Sequence, residues 1–140
     1  MQQFDISQVL KELLEYYSFN EETLAKYLSL DMKHIQEILR GNFEALPYNN
    51  IQKFEIYNKI MFLSLIPKDS KDLRLSSFLE VLISYHKLST KTIAKMAEVK
   101  ISDIDNILKN SEDVPIDIKY KVAITVMSLR FFLKENELNT

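Results

Sequence analysis

At 140 residues and 16.5 kDa, 46% hydrophobic and 27% charged, the chain has the composition of a globular protein, as one ordinary domain or two very small ones. Its formal net charge of −2 excludes the strong basic excess that announces nucleic-acid binding, and the lack of cysteine excludes a disulfide framework and any thiolate zinc site. One glycine and three prolines leave little turn chemistry, so long helices with short connections are expected.

In chain order, Leu10, Leu13, Leu14 and Tyr17 recur at the spacing of an amphipathic helix. Asn20 is placed to cap a second helix and Asp31 a third, which runs to about Arg40 before Gly41 stops it. Pro47 is expected to open a fourth helix near its first turn, continuing through YNKIMFLSLI at 57–66. The polar segment PKDSKDLR at 67–74 reads as a linker. Leu79, Leu82, Ile83 and His86 then repeat the first pattern, and Ser89 repeats the second cap. Lys100 has no acceptor to cap a third helix, so that helix is expected to start late, with Ser102 as its cap. Pro115 opens the last helix, which includes VAITVMSLRFF at 122–132. The predicted fold is all-α, two tandem four-helix units at 1–67 and 68–140.

The similarity between the halves is a register. Aligned without gaps, 6–41 and 75–110 share ten identities in 36 positions, among them Tyr16/Tyr85, Ala25/Ala94, Ile35/Ile104 and Ile38/Ile107. Exchanges such as Leu24/Ile93, Leu30/Val99 and Met32/Ile101 keep other positions apolar. The matches concentrate where helices bury a face, which indicates duplication of one structural unit.

The middle of each unit resembles the helix-turn-helix of the lambda-repressor/Cro (Xre-type) family. The residues that carry the resemblance are Leu24, Ala25, Leu28, Leu30, Ile35 and Ile38, then Ile93, Ala94, Ala97, Val99, Ile104 and Ile107. Two short helices that cross steeply need a small residue where their backbones approach, and Ala25 and Ala94 supply it. The resemblance covers roughly 6–66 and 75–133. It implies a DNA-binding protein whose third helix in each unit enters the major groove. The pattern departs from the family at the turn, where Ser29 and Glu98 stand in place of the usual glycine.

On that reading the candidate DNA-binding residues of the first unit are Lys33, Gln36, Arg40 and Asn42. Gln36 suits adenine, and Arg40 or Lys33 suits guanine or phosphate. In the second unit they are Ser102, Asn106 and Lys109. Lys26, Lys91 and Lys95 add cations nearby, and the helix starts at Asn20 and Ser89 offer backbone amides to phosphate. Asp103 and Asp105 oppose phosphate, which makes the first unit the stronger candidate. Met32 is expected in the core beside Ile35, Ile38 and Leu39, and Tyr16 and Tyr85 as half-buried scaffold.

The two long apolar segments need cover on all sides, so an interface is expected between units, between chains, or both, with a homodimer through the fourth helices favoured. No catalytic, metal or cofactor constellation is legible. His34 and His86, one per unit at non-matching positions, belong to no HExxH motif and have no cysteine with them, and a single glycine cannot build a phosphate loop. The start of the chain lacks a basic-then-apolar pattern, and IMFLSLI at 60–66 is far short of a span. The expectation is a non-enzymatic, cytoplasmic regulator from a bacterium or phage that binds double-stranded DNA. The competing reading is a protein-interaction module on the same scaffold, with a protein partner and no DNA.

Overall fold

The computed structural model describes residues 5–110 and 113–134. All regular structure among them is helical. The chain divides into two compact units, Met1–Lys68 and Asp69–Thr140.

The first unit contains α1 (Ile6–Glu15), α2 (Glu21–Leu28), α3 (Met32–Leu39), a short 3-10 turn at Phe43–Ala45, and α4 (Asn50–Leu65). α1 packs on α3 and α4, and α2 on the same pair. Their inward faces supply a core of Leu10, Leu13, Leu24, Leu28, Ile35, Ile38, Ile56 and Ile60. Ala25 is buried with them, at the crossing where a larger side chain would hold the backbones apart.

The second unit repeats the plan with α5 (Lys71–Ser84), α6 (Thr90–Ala97), α7 (Ile101–Leu108) and α8 (Ile116–Leu133). Here α5 and α6 each pack on α7 and α8. The core is Leu79, Leu82, Ile93, Ala94, Ala97, Ile104, Ile107, Val122 and Val126.

The backbone repeats more faithfully than the sequence. Left-handed residues close three turns in each unit, at Ser18, Ser29 and Gly41 and then at Lys87, Glu98 and Asn110. Each of the second set lies 69 residues after its counterpart in the first. At the central pair, Leu30 N–H reaches back to Ala25 O at 2.9 Å and Val99 N–H to Ala94 O at 3.0 Å. These are the long closing bonds of Schellman turns, which satisfy helix-end carbonyls and reverse the chain at once. The third pair repeats the shorter closing bond, from Gly41 N–H to Ile38 O and from Asn110 N–H to Ile107 O, both at 3.0 Å. Gly41, at φ +87°, is the position where such geometry carries no side-chain cost.

Several local expectations change. α5 begins at Lys71 with Ser70 as its cap, so 71–74 belong to the helix and the connection is shorter than 67–74. Pro115 is the N-cap of α8, but α4 starts three residues beyond Pro47. There Asn49 and Gln52 satisfy each other's backbone amides in a capping box, a stronger start signal than the proline. α7 is not delayed to Ser102. It begins at Ile101, and the Asp103 carboxylate accepts the Lys100 N–H at 3.0 Å, the half of a capping box that the third residue of the helix supplies. Asp31 occupies the N-cap of α3 without a side-chain cap bond. Asn20 and Ser89 do cap, to Thr23 N–H at 3.1 Å and Thr92 N–H at 3.0 Å.

Met32 is not core but 42% exposed, and Tyr16 and Tyr85 are 76% and 61% exposed. Both tyrosines are the C-caps of their helices, one position past the inward face. Each instead sets its ring edge-to-face on the next residue, Tyr17 at 4.8 Å and His86 at 4.9 Å.

Glu98 holds φ +58°, a conformation costing a residue with a Cβ roughly 1–2 kcal/mol. Part of the gain from glycine is offset by its freer unfolded chain. Glu98→Gly is therefore expected to stabilise the protein by about 0.5–1 kcal/mol, and Glu98→Val to destabilise it by more than that, both read from urea unfolding midpoints.

Candidate nucleic-acid interface

The third helices expose corresponding positions. On α3 they are Met32, Lys33 and Gln36 with half-buried Glu37 and the C-cap Arg40; on α7 they are Ile101, Ser102 and Asn106 with half-buried Asp105 and the C-cap Lys109. Residues at this spacing share one helix face, opposite buried Ile35 and Ile38 or Ile104 and Ile107. The two faces have the same shape and different chemistry.

In the first unit the face is tied down by carboxylates. Gln36 Nε2 donates to Glu21 Oε1 from the first turn of α2. Glu37 accepts from Arg40 Nη1 at 2.6 Å and from Asn42 Nδ2 at 2.9 Å. Three of the four residues marked as DNA readers thus already have acidic partners. The Asn42 hydrogen bond, and then Arg40, hold the Glu37 carboxyl below its ordinary value of 4.5. Lys33 makes no such bond and is exposed, as is Lys26 on α2. Behind this face His34 is half-buried, its Nδ1 at 2.8 Å from Tyr48 Oη and the two rings edge-to-face. A cleft of about 400 Å³ runs along Lys33, His34, Gln36, Glu37, Arg40 and Asn42.

In the second unit the corresponding residues stand clear. Ser102, Asn106 and Lys109 are exposed, and among the described residues their side chains make no hydrogen bond or ion pair. The Asp103 carboxylate accepts from Lys100 N–H at its own helix start, where it lies in the first turn of α7. Asp105 remains on the face, half-buried. His86 differs from His34, with its Nε2 at 2.9 Å from Arg130 Nη1 on α8.

The starts of the second helices differ in the same direction. α2 opens with Glu21 and Glu22, while α6 opens with Thr90 and Lys91 and has no acid in its first turn. Unsatisfied amides and the helix dipole attract an anion at such a start, and carboxylates there cancel that attraction. Lys91 and Lys95 are exposed on α6. Over the matched stretches, 20–41 carries three Lys/Arg against four Asp/Glu, and 89–110 carries four against three.

The sequence alone contained part of this. Glu37 and Arg40 are three apart on one helix, an ordinary ion-pair spacing. The Glu21–Gln36 and His34–Tyr48 pairs join different elements, and no local spacing signals them.

Two short helices joined through a left-handed turn, the second presenting polar residues to solvent, form a helix-turn-helix. A family model described as a helix-turn-helix domain matches residues 1–139, and the chain belongs to that family. No curated protein and no solved structure matches it. Among the described residues, no helix is long and apolar enough to cross a membrane.

Because the bonded form of Glu37 is the carboxylate, its contribution to stability is complete above pH 4.5 and is lost as pH falls through the lower folded value. A carboxyl titration followed by NMR is expected to place the Glu37 midpoint below 4.5. Asn42→Ala, which removes the largest cause, should move that midpoint upward.

Proposed function

We propose that this helix-turn-helix protein is a transcriptional regulator that binds double-stranded DNA through two tandem lambda-repressor/Cro-like units, roughly 1–67 and 68–140. The observation that carries the reading is the repeated turn geometry, with left-handed residues at matching positions of both units and a solvent-facing third helix after the central one. On this reading Lys33, Gln36, Arg40 and Asn42 serve the first unit with Lys26. Ser102, Asn106 and Lys109 serve the second with Lys91 and Lys95.

The second unit is the better placed to engage first. Its readers have no competing intramolecular bonds, and its α6 start lacks acidic residues. In the first unit, DNA must displace Glu21 from Gln36 and Glu37 from Arg40 and Asn42 before those side chains can reach a base edge. Sequence readout there is conditional on binding energy supplied elsewhere.

Retardation of duplex DNA should weaken steeply as salt rises from low concentration, since phosphate contacts release counterions. Asn106→Ala is expected to cost about 1–3 kcal/mol on a preferred duplex, and Gln36→Ala less than that. A chain that retards no duplex at low salt would sink the DNA reading. The protein-interaction module would then stand, favoured by the carboxylate-neutralised face of α3.

The fourth helices support association as a homodimer. α8 exposes Ile116, Tyr120, Ile124, Met127 and Phe131, each at least 49% exposed; their spacing of three or four residues makes one continuous stripe. α4 exposes Ile51, Phe54 and Phe62, with Leu65 at 36%, along a face interrupted at Asn58. At roughly 150–250 Å² each, Tyr120 and Phe131 supply about 300–500 Å² of the about 800 Å² on one side of a standard interface, and the three aliphatic side chains add to it. Sedimentation at micromolar concentration is expected to give a dimer that Ile124→Glu converts to monomer. A wild-type monomer at that concentration would refute it.

A further inference from the structure

The first residue of each third helix is apolar and stays out of the core. Met32 and Ile101 open α3 and α7 at matching positions, and they are 42% and 45% exposed. The cores beneath are already filled by Ile35 and Ile38 or Ile104 and Ile107, each no more than 4% exposed. Each therefore presents apolar surface to water at the start of its third helix. Each shares a helix face with the residue one turn on, Gln36 after Met32 and Asp105 after Ile101, and adjoins Lys33 or Ser102 in the chain.

A helix that enters the major groove leads with its N-terminal residues, which meet the base edges. The groove floor is lined with hydrogen-bond donors and acceptors, and its one apolar feature among the four standard bases is the C5-methyl of thymine. An aliphatic side chain set there gains nothing from a carbonyl or amino group and leaves that group without a partner. Against a thymine methyl both apolar surfaces leave water together.

We infer that Met32 and Ile101 are specificity-determining residues that read the C5-methyl of thymine, one in each half-site. The inference rests on the DNA-binding reading above and names what that reading leaves open, the base preference at the helix entry. Met32 is long, unbranched and adaptable, whereas Ile101 is β-branched and stiff at χ1. The second unit should therefore discriminate more sharply for the position of the methyl group.

The test compares alternating dA·dT duplexes of about 24 base pairs, long enough for two half-sites one turn apart, with duplexes in which deoxyuridine replaces every thymidine. That exchange removes only the methyl group and leaves the backbone, charge and pairing edges in place. The wild-type chain is expected to bind the uracil duplex roughly fourfold more weakly for each methyl group that Met32 or Ile101 would otherwise cover. Ile101→Ala should bind the thymine duplex more weakly and lose most of its preference for thymine over uracil. Met32→Ala should show a smaller version of both effects, and their half-exposed positions leave the fold in place, as thermal melting would verify.

Equal affinity of the wild-type chain for both duplexes would overturn the methyl recognition while leaving DNA binding intact. A thymine preference undiminished in both variants would overturn the assignment to these two residues. Absence of binding to either duplex and to a guanine- and cytosine-rich control, at low salt, would remove the DNA reading and this inference together.

Discussion

The left-handed residue between the second and third helices is the constraint on which each unit depends. It lets Leu30 or Val99 donate back across the turn to Ala25 or Ala94, and that bond fixes where the third helix begins. Its position in turn decides which residues enter the core and which face water. Ile35, Ile38, Ile104 and Ile107 are buried as a consequence, and the intervening positions form the exposed face. Ser29 and Glu98 hold this conformation despite their Cβ atoms, so packing on both sides overrides a local backbone preference. A glycine is helpful in such a turn but not required when the helices before and after it are anchored in one core.

The third helices show how one scaffold carries two electrostatic states. On α3, each carboxylate that lowers the net charge also occupies a hydrogen-bonding group that would otherwise be offered to a ligand. Glu21 and Glu37 are therefore more than opposing charges at a distance, and they compete directly for the side chains a base would need. On α7, Asp103 is engaged by its own helix start, Asp105 stays on the face, and Ser102 and Asn106 are left uncommitted. Counting charges along the sequence treats these acids alike. Their hydrogen bonds separate an acid that blocks a face from one that builds it.

Most of the fold was legible because its signals are periodic and local. The 3.6-residue apolar pattern, the caps at Asn20 and Ser89, and the duplicated register are written in neighbouring residues, and they put the α-helices of both units in the right order. Expectation and structure part where a competing local group takes over. Asp103 supplies its half of a capping box at Lys100, and Asn49 with Gln52 prevails over Pro47. Met32 departs from the expected core, and Tyr16 and Tyr85 from the expected half-burial, for a different reason. They sit at helix ends, where a periodic pattern continues on paper after the burying surface has stopped. The candidate site was legible only as a set of residue types, because the pairings that modulate it span elements.

Those helix-end residues also explain why apolarity is a poor guide to burial in a fold this small. Each four-helix unit has little interior, and α4 and α8 carry more apolar surface than one side of each can bury. Chains that keep exposed apolar residues in a continuous stripe are poorly placed to remain isolated in water, whereas a single exposed aliphatic at a helix start carries no such pressure. The two kinds of exposure in this protein therefore argue for different partners. The stripe of Ile116 to Phe131, and the interrupted one of Ile51 to Leu65, suit a broad dry surface. Met32 and Ile101, set singly among polar neighbours, suit a partner that is polar almost everywhere and apolar at one point.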